Sequence, residues 1–143
     1  MHPANEQQLT ERAIRAAEAA LAKQHYVSSV DVFLGMGLLA PSHIQDWKQR
    51  RVDFLERVIQ GNLKKISLSM KAFHKWAQAK RLKPSETRYV RRTRGGTVDL
   101  RFSKSGDWSI ERRYRTHYVS PDLSERKRGN LEERLAQSLA PVV

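Results

Sequence analysis

The spacing of apolar residues along this chain changes period once, near residue 84. Before that point they recur every three to four positions, as one face of a helix requires. Beyond it they alternate, as a strand requires. Residues 5–24 predict a first helix: Leu9, Ala13, Ala17, Ala20 and Leu21 form a stripe, and Asn5 with Gln8 resembles a capping box. Ser28 with Asp31 opens a short second helix through Val30, Phe33 and Leu34, which Gly35 or Gly37 ends. Pro41-Ser42 opens a third, with Ser42 as its N-cap and Ile44, Trp47, Leu55, Val58 and Ile59 on its buried side. Gly61-Asn62 stops that helix and caps a fourth over residues 63–82, where Leu63, Ile66, Met70, Phe73 and Ala77 make one apolar seam. Pro84 ends it.

Thr87–Arg94 and Thr97–Ser103 read as two strands around Gly95-Gly96, a hairpin signal because both glycines can take positive φ. With those glycines as the loop, Arg94 faces Thr97, Arg92 faces Asp99 and Arg91 faces Leu100. Tyr89, Arg91, Val98, Leu100 and Phe102 then share one side of the hairpin. After the turn Ser105-Gly106-Asp107, alternation over residues 110–119 predicts a third strand, with a short amphipathic helix as the competing reading. Asn130 with Glu133 caps a last helix carrying Leu131, Leu135 and Leu139. The expected architecture is a single α+β domain spanning residues 1–143. A bundle of three to four helices (1–83) precedes a basic hairpin or meander of two or three antiparallel strands (84–120). A connector and a C-terminal helix follow (121–143).

Charge changes this picture most. Residues 1–60 carry seven basic and seven acidic side chains, whereas residues 61–128 carry 19 basic against 6 acidic, and the chain as a whole stands at +12. Charge of one sign gathered in one stretch attracts polyanions at long range and releases their counterions on contact. The expected function is therefore non-enzymatic nucleic-acid binding, with RNA favoured over DNA because the charge lies on the predicted sheet. Arg88, Arg91, Arg92, Arg94, Arg101, Lys104, Arg112, Arg113 and Arg115 are the expected phosphate ligands, assisted by Lys71, Lys75 and Lys80. Arginine suits this role because its planar fork holds a phosphate through two hydrogen bonds. Trp108, Tyr114 and Tyr118 are the candidates for stacking on a base. Binding through six or more phosphates predicts a log–log salt slope of about −4 to −5.

Three other readings fit parts of the chain. Ser28–Arg51 could form a helix-turn-helix DNA reader, with Ser42, Gln45 and Arg50 facing base edges. Lys104, Glu111 and His117 could serve a metal-independent ribonuclease; helices followed by basic strands resemble, in element order alone, small ribosome-dependent ribonuclease toxins. The basic surface could instead dock an acidic protein partner. Oligomeric state has no signature in the sequence.

Composition removes several classes. Without cysteine there is no disulfide framework, thiolate nucleophile or Cys-based zinc site. The histidines lack ligand spacing and no phosphate-binding glycine loop occurs, so neither a metal nor a cofactor is expected. No run of 18 apolar residues exists and the N-terminus has no signal-peptide core, so a cytoplasmic protein without membrane contact is expected.

Overall fold

The computed structural model describes residues 2–122, and the predicted helix bearing Leu131, Leu135 and Leu139 lies outside them. Helix α1 spans Pro3–Gln24 and is capped by His2, whose ring nitrogen Nδ1 accepts a hydrogen bond from the Ala4 amide at 3.1 Å. Asn5 is therefore not the cap. Proline takes the first helical position, where a missing N–H leaves no donor unsatisfied. Helix α2, Ser29–Gly35, has the expected capping box between Ser28 and Asp31. Its C-terminus closes through two bonds, Gly37 N–H to Leu34 O and Leu38 N–H to Phe33 O, with Gly37 at φ +74°.

Helix α3 starts two residues earlier and ends sooner than the sequence suggests, spanning Pro41–Lys48 with Ala40, not Ser42, at the N-cap. The same pair of closing bonds stops it, Arg50 N–H to Trp47 O and Arg51 N–H to Asp46 O, with Arg50 in the left-handed region at φ +58°. Leu55, Val58 and Ile59 consequently leave the α3 axis, and Leu55–Arg57 form a separate 3-10 turn. Helix α4, Leu63–Ala79, is capped by Asn62 as expected and closes through Arg81 at φ +56°. Pro84 does not merely end it. It sits inside strand β2, Lys83–Glu86, an edge strand in which a missing amide is tolerated.

Helices α1, α2 and α4 pack together on a core that includes Leu9, Ala13, Ala17, Phe33, Phe73 and Ala77. Small side chains let α1 and α2 approach closely, because a Cβ added at Gly35 would lie 2.7 Å from the Ala16 Cβ and 3.2 Å from its Cα. Gly35→Ala is expected to cost about 1–3 kcal/mol despite its better helix propensity, because overpacking must push α1 away. A chemical melt of the variant reads that loss directly; an unchanged midpoint would show that the helices separate freely.

Strand β1, Tyr26–Val27, follows α1, and strand β5, Thr116–Val119, pairs antiparallel with both β1 and β2, giving the order β1-β5-β2. The hairpin β3, Val90–Thr93, with β4, Gly96–Asp99, stands apart as a two-stranded sheet. Its register pairs Arg91 with Val98 and Arg92 with Thr97, so Arg94-Gly95 form the loop instead of Gly95-Gly96. Only the second of those glycines has positive φ. This offset of two residues preserves the parity of every position, so Tyr89, Leu100 and Phe102 still face the core and are buried.

Residues 110–119 depart from the predicted strand. Trp108–Arg115 is helix α5, capped by Asp107, whose carboxylate accepts from the Ile110 amide at 3.2 Å; only Thr116–Val119 is strand. Around Trp47, which is 1 % exposed, the two halves of the chain lock together. Its indole N–H donates to Arg101 O at 2.7 Å, and its ring lies 4.9 Å from Phe102 and 5.7 Å from Tyr89. The amides of Leu55 and Glu56 bond to Arg101 O and Phe102 O. Among the described residues, no helix is long and apolar enough to cross a membrane.

Candidate nucleic-acid interface

Once α4 and α5 are both helices, side chains far apart in sequence line one groove of about 640 Å³. Helix α4 supplies Lys71, His74, Lys75 and Gln78, the i, i+3, i+4, i+7 positions of a single face. Helix α5 supplies Trp108, Arg112 and Arg113, with Ser109 and Thr116 beside them. Four cations therefore border the groove, and no carboxylate is among its lining residues. The Arg112 guanidinium lies 5.3 Å from the Trp108 ring centroid and 3.4 Å from the Glu86 carboxylate, which anchors it from the β2 side.

His74 adds no fifth charge at neutral pH. Burial, followed by the charge of Arg113, lowers its pKa to about 4, and Nδ1 is bonded to the Tyr118 hydroxyl at 2.7 Å. Tyr118 thus forms part of the groove wall. Its ring packs edge-on against Phe73 at 5.4 Å, and burial raises its phenol pKa. Tyr114 lies deeper, stacked on Phe102 at 5.0 Å with an interplanar angle of 11°, its hydroxyl donating to Glu56 at 2.7 Å. Neither tyrosine offers a free face, so both are corrected from base platforms to packing residues. Trp108 alone of the three keeps its expected exposure, at 66 %.

The hairpin arginines do not form a single patch. Arg88 pairs with Asp99 at 2.5 Å, and Arg115 pairs with Glu86 at 3.0 Å. Arg101 spends its donors on the carbonyls of Ser103 and Lys104 and lies over Phe54, while Arg91 donates to Lys48 O and Gln49 Oε1. Lys80 pairs with Glu18 at 3.1 Å. Arg92 and Arg94 stay exposed near the hairpin tip, unpaired with any carboxylate among the described residues. Lys71, Lys75, Arg112 and Arg113 instead line the α4–α5 groove.

The three residues considered for nuclease chemistry occupy separate settings. Glu111 is buried, accepting from the Phe102 amide at 2.9 Å, the Ser103 amide at 2.7 Å and the Ser103 hydroxyl at 2.6 Å. His117 is 1 % exposed, with one ring nitrogen against the Tyr89 hydroxyl and the other 3.3 Å from the Thr87 hydroxyl. Lys104 is at the surface, its amide donating to Glu56 at 2.9 Å. Glu111 and His117 are both buried, so these three residues, the alternative nuclease set, do not share one exposed face. In the α2–α3 unit, five residues join the helices, more than the usual turn of a DNA-reading pair, and Arg51 is paired with Asp46.

A second recess of about 500 Å³ lies on the other side of α5, walled by Leu63, Ile66, Met70 and Ile110 with Lys104, Arg113 and Glu56 on its border. Leu63 and Ile110 are 61 % and 41 % exposed there. No group of three or more His, Asp or Glu among the described residues could hold a metal ion. No family model matches the chain, and neither a curated protein nor a solved structure matches it.

Proposed function

We propose that the chain binds nucleic acid without cleaving it, holding phosphates between α4 and α5. The observation that carries this reading is the groove itself, where Lys71, Lys75, Arg112 and Arg113 converge with no carboxylate among the lining residues. With Arg112 already held by Glu86, phosphate contact through Lys71, Lys75 and Arg113 predicts a log–log salt slope of about −2 on a single strand, shallower than the six-contact expectation. Fluorescence anisotropy of a labelled oligonucleotide across a salt series measures it. Lys71→Glu with Lys75→Glu should flatten the slope by about 1.4 and weaken binding at least tenfold at low salt. A nearly flat slope in the parent chain, or an unchanged slope in the double variant, would overturn the reading.

One observation favours a second reading, docking of an acidic protein that carries an apolar anchor. Leu63 and Ile110 stay exposed around an apolar recess whose border carries Lys104 and Arg113 against the single carboxylate of Glu56. Ile110→Ser should leave oligonucleotide affinity within twofold if nucleic acid is the ligand.

A further inference from the structure

We infer that the α4–α5 groove takes an unpaired nucleotide, its base laid on the open face of the Trp108 indole, so that single strands bind in preference to uninterrupted duplex. The inference rests on the nucleic-acid reading and specifies its substrate. Trp108 is the most exposed large hydrophobic side chain among the described residues, yet it sits in a groove bordered by cations rather than against the core. Arg112 covers one face of the ring and is itself held by Glu86. With two-thirds of the residue in solvent, the exposed face is the opposite one.

A base is the planar group that completes such a stack, and base–aromatic stacking contributes about 1–3 kcal/mol. The bases of a continuous duplex have both faces covered by neighbours, so they cannot reach the indole without being unstacked. Lys71 and Lys75 on the facing wall, with Arg113 beside Arg112, then lie where the flanking phosphates must run. The space of about 640 Å³ falls in the size range of a site for one small organic ligand. A phosphate at the α5 N-terminus is disfavoured, because the Asp107 carboxylate already occupies that position.

The test uses the full chain and three probes at one ionic strength: a 12-nucleotide oligouridylate, a 12-base-pair blunt duplex and inorganic polyphosphate. The other two tryptophans, Trp47 and Trp76, are buried, so a saturable change in indole emission reports on Trp108. Oligouridylate should quench that emission and bind at least tenfold tighter than the duplex. Trp108→Leu should weaken oligouridylate by about 5- to 150-fold, while duplex and polyphosphate binding and the salt slope stay unchanged. Trp108→Phe should restore most of the loss, because it keeps a stacking face. Equal affinity for all three probes, with Trp108→Leu without effect, would overturn base stacking and leave phosphate binding intact. Failure of every probe to bind would overturn the nucleic-acid reading itself.

Discussion

Glu111→Ala is expected to destabilise the protein by about 4 kcal/mol and to leave little of it folded at physiological temperature. The Glu111 carboxylate accepts two backbone amides and one hydroxyl of Phe102 and Ser103, all buried. Truncation orphans these donors, at about 1–3 kcal/mol for each that water cannot reach. Their partner loop carries the Phe102 ring onto Trp47 and Tyr114, so the damage spreads to the aromatic core. Glu111→Gln keeps one acceptor oxygen but turns an NH2 toward the remaining donors, and should cost about half as much. Urea melts of both variants give the order. A catalytic Glu111 would show the reverse pattern, near-parent stability with abolished turnover.

The second large effect is a loss of stability in mild acid. Burial lowers the pKa of His117 to about 4, against an ordinary value of 6.5; burial and the Arg113 charge bring His74 to about 4 as well. Both values are depressed in the folded chain, so the unfolded chain takes up protons first as pH falls. Stability is therefore complete above pH 6.5, declines between 6.5 and 4, and changes no further from these groups below that range. His117 contributes ~3 kcal/mol of this decline. Each nitrogen of its ring faces a hydroxyl, from Tyr89 and Thr87, so no carboxylate is at hand to offset a second ring proton. Denaturation at pH 7, 5.5 and 4 should trace the fall, and His117→Gln, though less stable at pH 7, should remove a large part of the slope. A parent protein equally stable at all three values would contradict the assignment.

Much of the fold is legible in the sequence wherever a local signal carries it. The Ser28–Asp31 capping box and the seam of α4 specify their elements without help from distant contacts. The end of α3 is invisible because its left-handed closing residue is Arg50, where glycine would have marked the stop. Helix α5 is hidden by its composition. Ile110, Tyr114, Thr116 and Tyr118 alternate, and β-branched and aromatic residues suit a strand, but Tyr114 buries itself on Phe102 only from a helix.

That one misreading of period also scatters the site. A strand sends Arg112 and Arg113 to opposite sides, whereas a helix stacks Trp108 and Arg112 four residues apart and brings Arg113 to the same groove. The division of the arginines is legible only in part. Asp99 and Glu86 are visible as nearby carboxylates, while the Gln49 and backbone partners of Arg91 and Arg101 exist only after tertiary packing.

The β1-β5-β2 arrangement has a consequence for how the molecule comes into being. The middle strand is the last of the three to leave the ribosome, some ninety residues behind the partner it shields on one flank. A nascent chain can gather its helices early, but Val27 and Lys83–Glu86 stay without ladder partners until Thr116–Val119 arrives. Completion of this sheet is therefore an insertion, and an arrest or truncation before residue 116 yields a chain with two unmatched sheet margins open to self-association.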